Sequence, residues 1–467
     1  MLSLRMTGHP FIDIGLATLA VMSNKRQLAD LTENDLRACA ERLKYWYSQH
    51  NAARNYISVI FSNSHFTQPS MSLEQREAYA DRYLFAFLKD SPAQPFKSNC
   101  VFFPEIAEAE RAYRQHIPLL NGENIANFSP MGRDGLPVSG IALLAIHAMP
   151  FGCLKCGGRM LGFHRQSISA DDWESEKLNV VLARQNYQRN LQALTLLIPE
   201  AKEKFPDFGG KPYMRYITQV LRAREDLNER DANLDYITGY YFTNYGTGAE
   251  ISLIRLDHAV MTFVNRALLD ALEAWHRAVR HNWDKVKNEE VFTNDEARIS
   301  SSRRNYLYEN LFRLPEYTRQ FIGNLKRALN WQLIEIFLKE VMFMDQERID
   351  TYRRLGDLLA DYAMNFENQP HSFYYSFSRA KGYPALRGVI RSAAEKMYKV
   401  GADDMLFTYD DFINAFEHPS ERYNQWKLAR DLISVRMLER LHQAKIDLSA
   451  LPDEDIDIES LAEEEAT

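Results

Sequence analysis

Phe151-Gly-Cys-Leu-Lys-Cys-Gly-Gly-Arg159 (FGCLKCGGR) decides how the middle of this chain is read. Two thiols stand three residues apart, and two glycines follow that let the backbone turn tightly around a bound ion. The pattern is half of a zinc knuckle. Tetrahedral zinc takes four nitrogen or sulfur ligands. Cys153 and Cys156 supply two, Cys100 is the candidate third, and His116, His147 or His164 is the candidate fourth. The competing reading is a glycine-rich turn carrying two free thiols. Cys39 falls in an expected helix over Leu31–Tyr47, where a small buried side chain is sufficient.

The surrounding chain has 467 residues, 46% hydrophobic and 25% charged, which suits a globular protein of roughly two to four domains. It contains no run of eighteen apolar residues, so no membrane partner is expected. The N-terminus lacks a basic segment followed by an apolar core, and a cytoplasmic location is expected. Four cysteines do not make a disulfide framework. The net charge is −7, but eight of the 63 acids lie between Asp453 and Thr467, where Lys and Arg are absent. Taking these eight from 63 leaves 55 acids against 56 basic residues, so the rest of the chain is near neutral. A block of one sign repels itself and predicts a disordered tail over 453–467.

The expected fold class is α+β. A mixed α/β N-terminal region spans 1–259, a helical connecting region 260–343, and a C-terminal helical bundle 344–452. Tyr56–Phe61 (YISVIF) reads as a strand entering a polar loop. Tyr236–Phe242 and Glu250–Leu256 read as strands joined through Asn244-Tyr-Gly-Thr-Gly248 into a hairpin. Ile141–Met149 is apolar and buried, as helix or strand. Helical spacing marks Ser70–Lys89 and Trp173–Ile198, then Ala267–Val286, Tyr317–Phe343, Arg348–Met364, Ala385–Val400, Tyr409–Phe416 and Ser420–Ala444.

Enzyme signatures are missing from the sequence: no phosphate loop, no His-Glu-x-x-His, no G-x-S-x-G elbow. The paired acids Asp171-Asp172 and Asp403-Asp404 read as helix starts. Basic residues interleaved with aromatics stand out instead. Arg298, Arg303, Arg304 and Arg313 lie among Tyr306, Tyr308 and Phe312. Arg379, Lys381, Arg387, Arg391, Lys396 and Lys399 face the single acid Glu395. Such faces suit a phosphate backbone, or single strands with base stacking.

Several segments together carry a resemblance. Thr7-Gly-His-Pro-Phe-Ile-Asp-Ile-Gly15 opens the chain. Asn127-Phe-Ser129 is followed by Gly135-Leu-Pro-Val-Ser-Gly140, then by the Cys153/Cys156 pair, then by Ile237–Gly246 (ITGYYFTNYG). In order and spacing, over roughly residues 7–260, the chain resembles the large subunit of a type I CRISPR surveillance complex (Cascade). It is most like the I-B or I-A members named for a CXXC–CXXC region. It departs from that pattern in keeping one CXXC intact; Cys100-Val-Phe-Phe103 reads as the remnant of the other.

The resemblance implies a non-catalytic subunit needing no cofactor beyond, at most, a structural zinc. Its partners would be CRISPR RNA, target double-stranded DNA, the backbone and 5′-end subunits, a small subunit, and a recruited helicase-nuclease or transposition factor. Such a subunit reads the short protospacer-adjacent motif in duplex DNA, aids unwinding and stabilises the R-loop, while guide pairing reads the target. Base-edge reading needs short polar side chains with basic ones on phosphates. The candidates are Asn63, Ser64, His65 and Gln68 in one loop, Asn127, Ser129 and Arg133 in another, and Lys97 with Asn99. His9 and Asp13 are candidates for contact with a neighbouring subunit or the RNA 5′ end. Lys339-Glu-Val-Met-Phe-Met-Asp345 can be encoded with a ribosome-binding sequence ahead of Met344, so residues 344–467 are also expected as a free small subunit. The rival readings are a helical interaction scaffold without nucleic acid and a zinc-dependent nucleic-acid enzyme.

Overall fold

The computed structural model describes residues 4–89, 98–120, 135–166, 172–200, 204–227, 234–244, 249–284, 294–400, 406–416 and 425–446. Along the chain the helices are α1 (Pro10–Met22), α2 (Glu33–Gln49), α3 (Asn51–Ile57), α4 (Leu73–Tyr83), α5 (Gly140–Ala148), α6 (Trp173–Leu196) and α7 (Pro212–Leu227). Then come α8 (His258–Asp270), α9 (Leu272–His281), α10 (Asp295–Ser300), α11 (Tyr306–Leu311), α12 (Thr318–Lys326) and α13 (Trp331–Glu340). The last are α14 (Gln346–Phe366), α15 (Pro370–Ser378), α16 (Tyr383–Val400), α17 (Tyr409–Phe416) and α18 (Gln425–Gln443). Strands are β1 (Glu110–Ala112), β2 (Leu136–Val138), β3 (Leu154–Cys156), β4 (Arg159–Arg165), β5 (Ile237–Thr243) and β6 (Glu250–Ile254). The fold is α+β. One compact unit takes Met1–Arg255 with Val291–Arg303, and the other takes Leu256–Glu290 with Arg304–Thr467. The residues expected as the connecting region divide, 291–303 joining the first unit and the rest the second, which also takes the expected C-terminal bundle.

In the first unit, FGCLKCGGR forms a hairpin. Gly157 and Gly158 lie at φ +57° and +77°, the left-handed pair a two-residue turn requires. Their N–H groups donate to Asp207 Oδ1 and Oδ2 at 2.9 and 2.7 Å. The turn sets Leu154 opposite Leu161 and Cys156 opposite Arg159, and antiparallel pairing continues in the order β3-β4-β5-β6. The expected strands over 236–256 are β5 and β6, paired antiparallel; the tip of their connection, 245–248, lies outside the described residues.

The sheet is covered on two faces because its side chains alternate. On one, Phe11 of α1 packs on Phe242 at 4.6 Å, and His164 reaches Asp13. On the other, Phe163 meets Tyr216 of α7. Helix α1 is buried on nearly every side and crosses α5 so closely that a Cβ at Gly15 would sit 2.0 Å from the Ala145 carbonyl oxygen. Only glycine permits that approach. Helix α10 joins this unit through Glu296, which pairs with Arg189 (3.1 Å) and with the buried guanidinium of Arg215.

YISVIF is not a strand. Helix α3 runs to Ile57, and Ile60 and Phe61 N–H groups turn back onto the Ile57 carbonyl. Tyr56, Ile57, Val59, Ile60 and Phe61 are all buried, so burial on every side overrides their β propensity. In the second unit, two long expected helices are each broken in two. α8 and α9 part at Ala271, and α12 and α13 part where Leu329 turns to φ +48° and Asn330 caps α13 through Leu333 N. Phe263, Phe321 and Phe337 interlock there at 5.0–5.6 Å. α14 and α18 are joined by Arg436–Asp357 (2.7 Å) and Arg440–Asp361 (3.0 Å).

The first unit buries histidines that it must keep neutral. His147 stacks on Phe61, and burial pulls its pKa down to about 4. Burial, with His147, Arg82 and His65 adding like charge, pulls His116 down to about 3. The unfolded chain, near 6.5, binds these protons first, so stability is full above that pH and is lost as pH falls toward the folded values. Chemical denaturation at pH 7 and pH 5 should therefore differ by about 4 kcal/mol at about 1.36 kcal/mol per pKa unit for each of the two histidines, less stable at pH 5. His116→Phe should reduce the difference.

Candidate nucleic-acid interface

The two thiols of the hairpin do not converge. Cys153 lies against the Met149 sulfur at 3.5 Å, on the side of the sheet facing α1. Cys156 points through the other face, donating to the carbonyls of Gly209 and Gly210 at 3.3 and 3.4 Å. Cys100 is held elsewhere, its sulfur accepting from Phe102 N. Burial pushes the Cys156 thiol up to about 11 and Cys153 higher still. Among the described residues no three His, Cys, Asp or Glu side chains gather as a metal site. The expected ligands therefore do not fit a shared zinc. The spacing misleads because positions three apart on extended chain face opposite ways. All four cysteines are buried, so an alkylating reagent should leave the native chain unmodified and label four thiols after denaturation, read by intact mass.

The expected partner contacts at the N-terminus divide. Asp13 is fully buried and accepts from Thr7 N (2.7 Å), Thr7 Oγ1 (2.8 Å), Gly8 N (2.9 Å) and His164 Nε2 (3.0 Å). It organises the segment before α1 and presents nothing to a partner. His9 is half-buried, edge-on to Phe11 and Phe102, its pKa lowered by burial.

The first of the loops expected to read base edges is wound by its own polar groups. Ser64 is 0% exposed, and its carbonyl accepts from Thr67 Oγ1 at 3.0 Å. Gln68 Nε2 donates to the Ser62 carbonyl at 2.9 Å. Ser64 is thereby withdrawn from any DNA, whereas Asn63 and His65 remain exposed, His65 lying 4.7 Å from Tyr79. Asn99 is exposed and its backbone bridges to Ala107. Lys97, Asn127, Ser129 and Arg133 lie outside the described residues.

The basic segment 298–313 is divided between the two units. Arg298 and Arg303 belong to the first unit and Arg304 to the second. Arg304 grips Glu309 at 2.9 and 2.6 Å, and Tyr308 is buried as core.

Helix α16 is different. Leu386, Ile390 and Ala393 seat it on the bundle, and the opposite side is open. Arg391 is 79% exposed, tied loosely to Glu395 at 3.6 Å. Arg387 lies 5.8 Å from both Tyr383 and Phe412 and, like Lys381 and Lys399, has no carboxylate partner among the described residues. Arg379 sits over Tyr375. Lys396 is drawn to Glu367 at 3.0 Å. Tyr398 is 85% exposed and stands seven residues, two turns, beyond Arg391 on the same stripe. The sequence reading counted the cations and missed Tyr398, although the seven-residue spacing shows it. The stripe offers guanidinium and ammonium groups for phosphates and an aromatic ring for a base.

No protein-family model, curated protein or solved structure matches the chain.

Proposed function

We propose that this chain is the non-catalytic large subunit of an RNA-guided DNA surveillance complex of the Cascade kind, working in the cytoplasm. The observation that carries the reading is the α16 stripe, where Arg387, Arg391 and Lys399 stand exposed beside Tyr398. That is the chemistry needed to hold a strand once the duplex opens: charge for the backbone and a π-face that accepts any base. Asn63, His65 and Asn99 are short polar groups at the surface of the first unit, suited to base edges of a flanking motif. The guide RNA would supply sequence recognition by pairing, and the chain would supply motif reading, strand holding and a platform for the recruited nuclease or transposition factor.

Met344 suits the start of a separate small subunit. α13 ends at Glu340, Phe343 is 78% exposed at φ +51°, and Asp345 caps α14 through Arg348 N at 2.8 Å. A product beginning at Met344 would open directly on a capped helix.

The test is co-expression with the partner subunits and a guide, then binding to target duplexes with randomised flanks. The purified complex should bind in a flank-dependent manner. Arg387→Glu with Arg391→Glu should weaken binding at least tenfold and lower the salt slope by about one for each phosphate no longer neutralised. Failure to join a guide-containing particle would return the chain to a helical scaffold. Intact mass of the same preparation should show a second species beginning at Met344, and Met344→Leu should remove it.

A further inference from the structure

Beside the cationic stripe lies an open groove of about 440 Å³ between α14, α15 and α16. We propose that this groove receives one unpaired nucleobase of the DNA strand whose phosphates lie along α16. The proposal rests on the nucleic-acid reading of that helix and assigns it a base-binding site.

Three stripes run along α16. Leu386, Ile390 and Ala393 face the core. Next around the helix come Ala385, Gly388, Ser392 and Lys396, which line the groove. Beyond them lie Arg387, Arg391 and Tyr398, which face outward. Of the outer stripe, Arg391 is the neighbour of the groove, one turn on from Gly388, so a strand held at Arg391 can turn one base inward there.

The groove has the composition a base needs. Tyr362 and Phe373 line it, 4.9 Å apart, with Phe366 stacked behind Tyr362 at 5.7 Å. The α16 wall is small, and a Cβ added at Gly388 would meet nothing within 4 Å. At one end Glu367 accepts from Tyr362 OH at 2.5 Å and pairs with Lys396 at 3.0 Å. Glu367, Lys396 and Ser392 thus put a carboxylate acceptor, an ammonium donor and a hydroxyl in the lining of the groove beside its aromatic rings, groups of the kind a base edge pairs with. The volume falls at the small end of ligand sites, about 300–1,000 Å³, fitting one heterocycle better than a helix or a lipid chain. The adjoining positive stripe selects an occupant that arrives attached to phosphate.

The experiment uses the full-length chain and a single-stranded oligodeoxynucleotide carrying 2-aminopurine at one position and a dye at its end. Anisotropy reports strand binding, and 2-aminopurine emission reports the environment of the base. Gly388→Leu fills the slot from a helical position where leucine is favoured over glycine, and Gly388→Ala is the control that leaves it open. Wild type and Gly388→Ala should bind and alter the 2-aminopurine emission. Gly388→Leu should abolish the emission change and weaken binding at least about fivefold, the loss of one stacked base. Equal emission changes in wild type and a folded Gly388→Leu, with strand binding intact, would overturn the base site and leave the α16 reading standing. Lack of strand binding by wild type at low salt would overturn both.

Discussion

The fold of the first unit is organised around one buried carboxylate. Asp13 sits on α1 with no exposed surface, and it accepts four hydrogen bonds from three places: the backbone and hydroxyl of Thr7, the backbone of Gly8, and the ring of His164 on β4. Leaving a polar group unpaired at that depth costs on the order of 1–3 kcal/mol. The interaction fixes the entering segment, the helix and the sheet relative to one another. The close crossing of α1 over α5 at Gly15 is possible only with α1 held in that register. Tyr56 and Asn190 complete the arrangement by binding the Cys153 carbonyl at 2.8 and 2.7 Å, which secures the entry to the hairpin.

Much of the architecture was legible where one physical cause dominates. Strands β5 and β6 announce themselves through β-branched and aromatic residues on either side of a glycine-bearing turn, and α14, α16 and α17 through unbroken apolar spacing. The thiol pair left two readings open because Cys-x-x-Cys followed by two glycines is shared by knuckles and by hairpins with a left-handed turn. What separates them is the ladder closed across the glycines, Leu154 opposite Leu161 and Cys156 opposite Arg159. YISVIF was misread because β propensity presumes a half-exposed sheet, whereas this segment is buried on all sides. Ser64 was misread because a polar residue in a loop can face inward, and Asp13 because a lone acid in an apolar helix gives no sign of the histidine 151 residues away that faces it.

The candidate site depends on how the arginines are allotted. Those of α14 and α18 are consumed within the bundle: Arg354 on Asp411, Arg436 on Asp357 and Glu439, Arg440 on Asp361. Their charges are matched by nearby carboxylates and hold helices together. On α16 the only carboxylate in the helix is Glu395, and the cations outnumber it. Sequence spacing alone treats both groups as basic helical faces. Only the partner across the interface separates a structural cation from one left to act on something else.

Helix α10 has a consequence for how the molecule is made. It belongs to the first unit, clasped by Arg189 and Arg215, yet it is encoded after α8 and α9, which belong to the second. The first unit is therefore discontinuous in the gene. A ribosome that has released residues 1–255 has delivered the buried Arg215 without its counter-ion. That unit reaches its final electrostatic balance only when Glu296 emerges, with part of the second unit already synthesised. Synthesis of the two units is thus interleaved, and an N-terminal fragment ending near residue 255 would lack Glu296, the carboxylate that Arg189 and Arg215 share.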